Sequence, residues 1–546
     1  MTEPGFSAHV GQRRRRRGWR LRQNESRPFV EARVGGLKGE ISRYVAAMIQ
    51  TGATWNGKGL ECRRGIVPDD HPAKVEPLTM ADTDANGQRS QAPRPAASIL
   101  AGLAVVALAA SAFGQDTHYW SIAYGPIGQL VGGQAIASSL DLSATFYNPG
   151  ALAMKEQAGF LLSTESFQIE SVSVLPAPGL EVLDTSSSRI GAAPSLLAGV
   201  LPRWLGPDTR LAWSFLTRQE FEPRLGRRLT NPIALPGVTS AAESYYDESI
   251  DEKWGGLTAS RRLSERWGVG LTWYGVYRGQ RSREELSLLA TAEGGAALSA
   301  LGVSEFDYYH VRTLAKLGVA HDDGRLQLGL SVTTPSLGLF GSGAAGNTTS
   351  LLGVDANGDG FPDPPSLETT TQDGLAAEYR SSWAVGAGAS WQRGGTRLHL
   401  SAEWFAPVGR FTVLSLPPDE SGSTSGVELT QQLASVFNAG VGVQHDFGSD
   451  MALYGAFRTD FSASVGDPTV NAAVSDWDLY HLSAGFAFRI GDSRFTLGAT
   501  GSFGGHTRPL ATPIPPEDLP GAGLDAPVEI RYRRLVFLLG FLFGGS

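Results

Sequence analysis

The strongest constraint in this 546-residue chain is a two-residue hydrophobic period that returns again and again after residue 158. In Arg397 to Phe405 one face carries Leu398, Leu400, Ala402 and Trp404, and the other Arg397, His399, Ser401 and Glu403. Arg325 to Thr333 sets Leu326, Leu328, Leu330 and Val332 against Gln327, Gly329 and Ser331. Tyr480 to Ile490 sets Tyr480, Leu482, Ala484, Phe486, Phe488 and Ile490 against His481, Ser483, Gly485 and Arg489. Successive side chains of a strand point to opposite faces, so each segment reads as a strand with one apolar and one polar face.

Fourteen such segments can be drawn, at 158–171, 188–201, 209–222, 244–262, 267–284, 304–321, 325–334, 379–392, 397–406, 434–446, 451–462, 478–490, 494–504 and 528–543. Short polar turns join several of them, at Asp322-Asp323-Gly324-Arg325, Arg393-Gly394-Gly395-Thr396 and Gly491-Asp492-Ser493. The other connections are long: Gly341 to Asp373, Pro417 to Thr430, Asp467 to Asp476 and Thr507 to Ala526. Tight turns at one end and long loops at the other are the asymmetry of outer-membrane barrels. The competing architecture is a soluble sandwich or propeller. Against it, the outward positions carry Trp404, Phe486, Phe488, Phe537 and Phe541, a continuous belt that water does not tolerate. The expected fold class is therefore all-β, a transmembrane antiparallel barrel spanning residues 158–546.

The N-terminal part divides by composition. Ala96 to Ala112 is uncharged and rich in small residues, with Arg89 and Arg94 before it and Ala110-Ser111-Ala112 at its end. This is the pattern of a secretory signal peptide, placed at 80–114 and cleaved after Ala112 or Gly114. A buried core helix is the alternative. Met80 then reads as the start, and residues 1–79, with the run Arg13 to Arg17 and Trp19, Arg20 and Arg22, as a non-native or disordered extension. That extension holds 15 Lys and Arg against 8 Asp and Glu, net +7, so the chain total of -8 leaves -15 for residues 80–546. An acidic body offers no basic footprint for nucleic acid. The one cysteine, Cys62, lies in the extension, so the exported part has no thiol for a disulfide, a metal or a nucleophile.

Between the signal and the first strand, at 115–157, comes Gly132 to Ala153, GGQAIASSLDLSATFYNPGALA. It is too rich in small residues for a membrane strand. Pro149 fixes its own backbone and pushes Asn148 away from helix, while Gly150 permits a reversal. The pattern of Gly132-Gly133, Asp141, Ser143-Ala144 and Asn148-Pro149-Gly150 resembles the N-terminal hatch of the FadL/TodX/OmpP1 outer-membrane transport family. It departs from that family at Gln134 and in the exchange of Gly and Ala after Pro149. The resemblance implies a monomeric barrel of fourteen strands with the hatch as an internal plug. It implies passage of long-chain fatty acids or aromatic hydrocarbons, leaving sideways through the wall, with no catalytic residues and no cofactor. The partners it implies are outer-membrane lipid and lipopolysaccharide, the barrel-assembly machinery and a hydrophobic ligand. Phe541 and Phe543 resemble a barrel-assembly signal, although Gly544, Gly545 and Ser546 follow them.

Three smaller readings complete the sequence. By parity Arg397 and Arg489 face the lumen, where a basic residue is a natural partner for a ligand carboxylate. Asp355, Asn357, Asp359 and Asp363 supply oxygens at positions 1, 3, 5 and 9 of a loop with Gly360 at position 6, an arrangement suited to structural Ca2+, although Ser366 stands where an EF-hand has Glu. Gly341 to Gly346 fits GxGxxG but reads as loop, because no βαβ unit follows. No P-loop, G-x-S-x-G or H-E-x-x-H occurs. An outer-membrane hydrolase using His445-Asp446 or other Ser and His residues, and a structural or secretion-associated barrel, remain the alternatives to a transporter.

Overall fold

Strand pairing runs from neighbour to neighbour all the way round and returns to its start. The computed structural model describes residues 117–138, 140–155, 159–175, 185–189, 193–202, 204–222, 224–230, 237–292, 297–353, 364–416, 427–465, 476–509 and 527–543. The extension, the signal segment and the Asp355 to Asp363 loop lie outside the described residues.

The ring begins with β1 (Phe160–Leu175), and β2 (Thr185–Arg189) running on into β3 (Ala193–Leu201). Next come β4 (Thr209–Phe221) with its continuation β5 (Arg224–Thr230), then β6 (Val238–Arg262), β7 (Trp267–Ala292) and β8 (Ala297–Asp322). β9 (Leu326–Thr333) continues as β10 (Leu337–Leu352), and β11 (Ser366–Ala376) leads into β12 (Ala384–Arg393). After β13 (Thr396–Phe405) a separate two-stranded hairpin intervenes, β14 (Val408–Leu416) and β15 (Val427–Leu433). β16 (Val436–Phe447), β17 (Met451–Asp460), β18 (Leu479–Ile490), β19 (Ser493–Pro509) and β20 (Pro527–Phe543) complete the ring. β20 pairs with β1 from Phe160↔Phe543 to Leu175↔Glu529. Counting β2/β3, β4/β5, β9/β10 and β11/β12 as single crossings, the closed antiparallel barrel has fourteen strands. Closure leaves no edge strand in the ring, which is the condition for a sheet to cross a bilayer.

Burial alternates as the sequence period requires. Along β8, Phe306, Tyr308, His310, Arg312, Leu314 and Lys316 are buried, while Tyr309 and Leu317 are exposed. The outward face forms a belt. On β7 it runs from Trp267 through Leu271 and Trp273 to Tyr277, all exposed. About ten residues at roughly 3.3 Å each, tilted by about 40°, span about 25 Å, the height of a barrel's apolar band. Above Tyr277 the outward face becomes ionic, with Arg281 2.7 Å from Asp307 and Arg283 3.3 Å from Glu305. The turns at the other end are tight: Gly324, Gly394 and Gly491 have φ of 88°, 59° and 58°. Asp323 Oδ1 accepts from the backbone N of Leu326 at 2.7 Å to close the first of them.

Several sequence expectations are corrected. Gly341 to Gly346 is not loop but part of β10, paired with β8 from Gly341↔His310 to Gly346↔Glu305. The long connection expected from Gly341 to Asp373 is in large part the strand pair β10–β11. β6, β7 and β8 likewise run to 25, 26 and 26 residues, beyond the expected segments. Above the apolar belt the outer face turns polar, so the apolar outer stripe that marks a membrane strand ends while backbone pairing continues. The connection expected from Pro417 to Thr430 also ends inside a strand, β15. The β14–β15 hairpin packs Phe411, Leu414 and Leu416 against Phe306, Tyr308 and Leu375 of the wall.

Candidate functional site

Residues 117–155 hold the shortest elements, α1 (Pro126–Leu130), α2 (Ala144–Tyr147) and a 3-10 turn at Pro149–Ala153. Their backbone groups cannot be satisfied by such short helices alone. Asp141 takes up part of the deficit, Oδ2 accepting from Ile127 N at 3.2 Å and Oδ1 from Ser143 N at 2.8 Å. Asn148 donates through Nδ2 to Ile136 O at 2.8 Å and to Val319 O of β8 at 2.9 Å, and its Oδ1 accepts from Gly150 N at 3.0 Å. Ser143 and Ala144 open α2, and both are buried. Burial pushes the Asp141 carboxyl above its ordinary value, against the lowering by its hydrogen bonds.

This segment touches every strand of the ring. It bonds to Ser163 of β1, Ser195 of β3, Thr217 of β4, Ser260 of β6, Tyr274 of β7, Val319 of β8, His399 of β13 and Arg458 of β17. At the other strands it lies against glycines. A methyl added at Gly329, Gly388, Gly442, Gly485, Gly498 or Gly540 would meet Ile136, Ala137, Val131, Leu130 or Pro126. A segment of 39 residues thus reaches all fourteen members of the closed ring. Asn148, Pro149 and Gly150 meet the wall at Gly268, Gly270 and Gly318, where the two backbones approach with no side chain between them.

Two charged residues of β17 hold the first turn of the segment. Asp460 Oδ1 accepts from Tyr119 N at 3.1 Å and Trp120 N at 2.8 Å, and Oδ2 from Ser121 Oγ at 3.0 Å. Arg458 donates to Gly132 O at 3.2 Å and Ser121 O at 3.1 Å. His481 lies between Ser502, 2.7 Å from Nδ1, and Asp460, 3.7 Å from Nε2. All three residues are buried, and both oxygens of the Asp460 carboxylate are taken by donors of the 117–155 segment.

Above the segment lies a cavity of about 60 Å³. At roughly 10–15 Å³ per water centre it has room for about four waters. Phe146, Trp254, Leu314, Phe405 and Leu433 supply apolar wall, and Arg218, Gln219, Glu252, Arg312, Lys316 and Glu403 supply polar groups. Glu252 pairs with Arg312 at 2.7 Å and Arg278 at 3.2 Å and accepts from Trp254 Nε1 at 2.7 Å. Both guanidinium groups stand over the Tyr379 ring, 3.9 Å and 4.8 Å from its centroid. Glu403 pairs with Lys316 at 3.4 Å and accepts from Trp120 Nε1 at 2.8 Å.

Arg397 and Arg489 are elsewhere, each beside a tight turn at the opposite end of the strands. Arg397 donates to Gln327 and Gln392, and Arg489 is exposed. Neither lines the cavity. Parity singles out Arg312 and Lys316 on β8 equally well, but period two does not say how far along the strand a cavity lies. Among the described residues no group of three or more His, Cys, Asp or Glu is placed to hold a metal.

No protein-family model and no curated protein matches the sequence. Solved structures do. The deltaS2 mutant of the TodX monoaromatic hydrocarbon channel is similar with a TM-score of 0.51 at 13% identity, over 78% of this chain and 99% of that one. A FadL homologue of Pseudomonas aeruginosa gives 0.48 at 13% identity over 78% and 99%, and the toluene transporter TbuX of Ralstonia pickettii 0.44 at 12% over 78% and 99%. The fold is that of the TodX channel. At such identity the likeness is one of architecture, and the TodX-like barrel here fills its lumen with its own set of residues.

Proposed function

We propose that this chain is an outer-membrane channel of the FadL/TodX type for passive uptake of hydrophobic molecules, long-chain fatty acids or aromatic hydrocarbons. Residues 117–155 act as its hatch, and the exported monomer is delivered by the 80–114 signal and inserted by the barrel-assembly machinery among lipid and lipopolysaccharide. The observation that carries this reading is one segment in contact with all fourteen strands, seated on glycines and hydrogen bonds. Such a seat blocks straight passage yet involves no covalent tie, so a modest displacement opens a path. The cavity above it has an apolar wall suited to a hydrophobic molecule and too little room for a whole one. The bulge between Thr217 and Gln219 interrupts the β4–β6 ladder next to the cavity, which favours a sideways exit there.

Vesicles carrying the full chain, loaded with labelled oleate or toluene from outside, test the uptake. The hatch is tested by Ser138→Cys with His399→Cys, whose side chains are 3.1 Å apart across the hatch and wall. Cys62 is replaced by Ser in the same background, so that no other thiol competes. Oxidation is expected to abolish uptake and reduction to restore it. Uptake that continues through a formed disulfide would refute the moving hatch, and no uptake by the unmodified chain would refute the channel.

A further inference from the structure

Three neighbouring turns at the tight-turn end of the barrel carry positive charge that nothing beside them neutralises. They follow β6, β8 and β12, at 263–266, 323–325 and 394–395. Asp322 N donates to Arg266 O at 2.9 Å and Gln392 N to Arg325 O at 2.9 Å, which holds the three side by side. On and next to them stand Arg261, Arg262, Arg266, Arg325, Arg393, Arg397 and Lys155 against Glu265, Asp322 and Asp323, seven cations to three carboxylates and a surplus of four. Lys155 pairs with Asp322 at 3.7 Å, and Asp323 Oδ1 turns back to accept from Arg325 N at 3.0 Å and Leu326 N at 2.7 Å. Arg261, Arg262, Arg266, Arg325 and Arg393 are exposed, and among the described residues none of the five is in an ion pair.

The surplus is local. The next two turns along the rim, at 448–450 and 491–492, set Arg489 and Arg494 against Asp446, Asp450 and Asp492. At the far end of the strands exposed arginines are matched, Arg281 by Asp307 at 2.7 Å, Arg283 by Glu305 at 3.3 Å and Arg531 by Glu529 at 2.7 Å. The surroundings of the unmatched arginines are apolar. Along β6, Leu257, Ala259 and Arg261 are exposed in alternation, and along β12, Val385, Trp391 and Arg393, so Arg261 and Arg393 end two stripes of the outer face. Leu263 is 61% exposed and Trp267 48%, at either end of one turn. An arginine at the rim of an apolar belt lays its stem along the hydrocarbon edge and its guanidinium at headgroup level, and tryptophan takes the same depth.

We infer that this sector holds the phosphates of anionic phospholipid in the leaflet that meets the tight turns, with Arg261, Arg262 and Arg393 selecting it over zwitterionic lipid. A guanidinium meets two phosphate oxygens with parallel N–H bonds. A zwitterionic headgroup brings a cation of its own, which the surplus repels, and an anionic one does not. Free phosphate would meet the charge but not Leu263, Trp267 and Trp391, which lie where the glycerol and first acyl carbons of a lipid run. The inference depends on the barrel and not on what it carries.

The test is native mass spectrometry of the protein purified from the membrane into which it is exported. It is held in detergent and offered equal amounts of phosphatidylglycerol and phosphatidylcholine with the same acyl chains. The phosphatidylglycerol adduct is expected to exceed the phosphatidylcholine adduct about tenfold or more. Arg261→Gln, Arg262→Gln and Arg393→Gln together are expected to bring the ratio close to one, and Arg261→Lys, Arg262→Lys and Arg393→Lys together to keep most of it. Arg281→Gln with Arg283→Gln, at the other end of the strands, is expected to leave it unchanged. Heat-dependent gel mobility checks that each variant is folded. Equal adducts on the unmodified protein overturn the inference, as does a preference that survives the three Gln substitutions or falls equally in the Arg281 and Arg283 variant. Displacement of phosphatidylglycerol by millimolar inorganic phosphate also overturns it, making the sector a site for free anions.

Discussion

Gly318 and Gly329 face the lumen at points where a side chain would overlap Asn148 and the backbone of Ile136. Gly255 and Gly275 face the other way, with nothing within 4 Å of an added methyl. Gly318→Ala or Gly329→Ala is therefore expected to cost about 1–3 kcal/mol through displacement of the hatch, and Gly275→Ala close to nothing; thermal unfolding and protease sensitivity of residues 117–155 check the contrast. Asn148→Ala removes two donated hydrogen bonds and one accepted one, and is expected to expose the same residues to protease without opening the ring. Asp141 gives a pH dependence. Its carboxyl value is raised on folding, so the folded state holds the proton more tightly, and the seat is firmest below the unfolded value and loosens as pH rises through the folded one. Protease sensitivity of the hatch should increase as pH rises above the ordinary carboxylate range and lose that slope in Asp141→Asn; a slope unchanged in the variant would assign it to another group. The hatch residues were readable from the sequence as a turn and a pattern. The glycines that receive them were visible only as small residues on polar faces, because a glycine in a strand looks the same whether it meets water or another backbone.

At the scale of elements, the β14–β15 hairpin separates structure that crosses the membrane from structure added above it. β13 and β16 pair directly from Thr396↔His445 to Phe405↔Val436, so the ring does not need the hairpin. Its apolar face instead covers Phe306 and Tyr308, and its Phe411 meets Tyr379 edge-on at 6.3 Å, above the cavity. Replacing residues 407–434 by a short turn is expected to leave a folded barrel with unchanged heat-dependent mobility while exposing the cavity. Faster quenching of cavity tryptophan by acrylamide would show it, and loss of the folded mobility would show that the hairpin supports the ring. Alternation located the strands inside the apolar belt and lost them above it, as at Gly341 to Gly346. There the outer face carries Arg281 and Asp307 in place of Leu and Trp, and nothing in such a pattern distinguishes a solvated strand from a loop.

On the scale of the molecule, the barrel and the segment within it make separate demands. The ring is closed by β1 with β20 and owes none of its backbone pairing to residues 117–155. Deleting those residues is expected to leave a fourteen-stranded barrel with an open lumen, seen as stable ion conductance in planar bilayers where the intact protein shows little. An intact barrel with no added conductance would mean that other parts of the chain close the pore. Outward and inward faces also differ in what they tolerate. Leu271→Arg, on the belt, should cost about 2–4 kcal/mol of barrel stability, whereas Arg278 and Arg312, buried in the lumen, are held by Glu252 and Lys316 by Glu403.

Pattern alone was enough to find the barrel, the number of its crossings and the segment before the first strand. Period two, tight glycine turns and aromatic outer positions are local properties, and each strand carries its own copy. Where along the lumen the cavity lies, and which basic residues line it, emerges from the assembled strands. Arg397 and Arg489 have the right parity but sit beside the turns, while Arg218 comes inward through a bulge that breaks the parity altogether. Depth within a barrel depends on strand register and on where the ladder slips. Both are set by pairing between strands, so no single strand's sequence contains them.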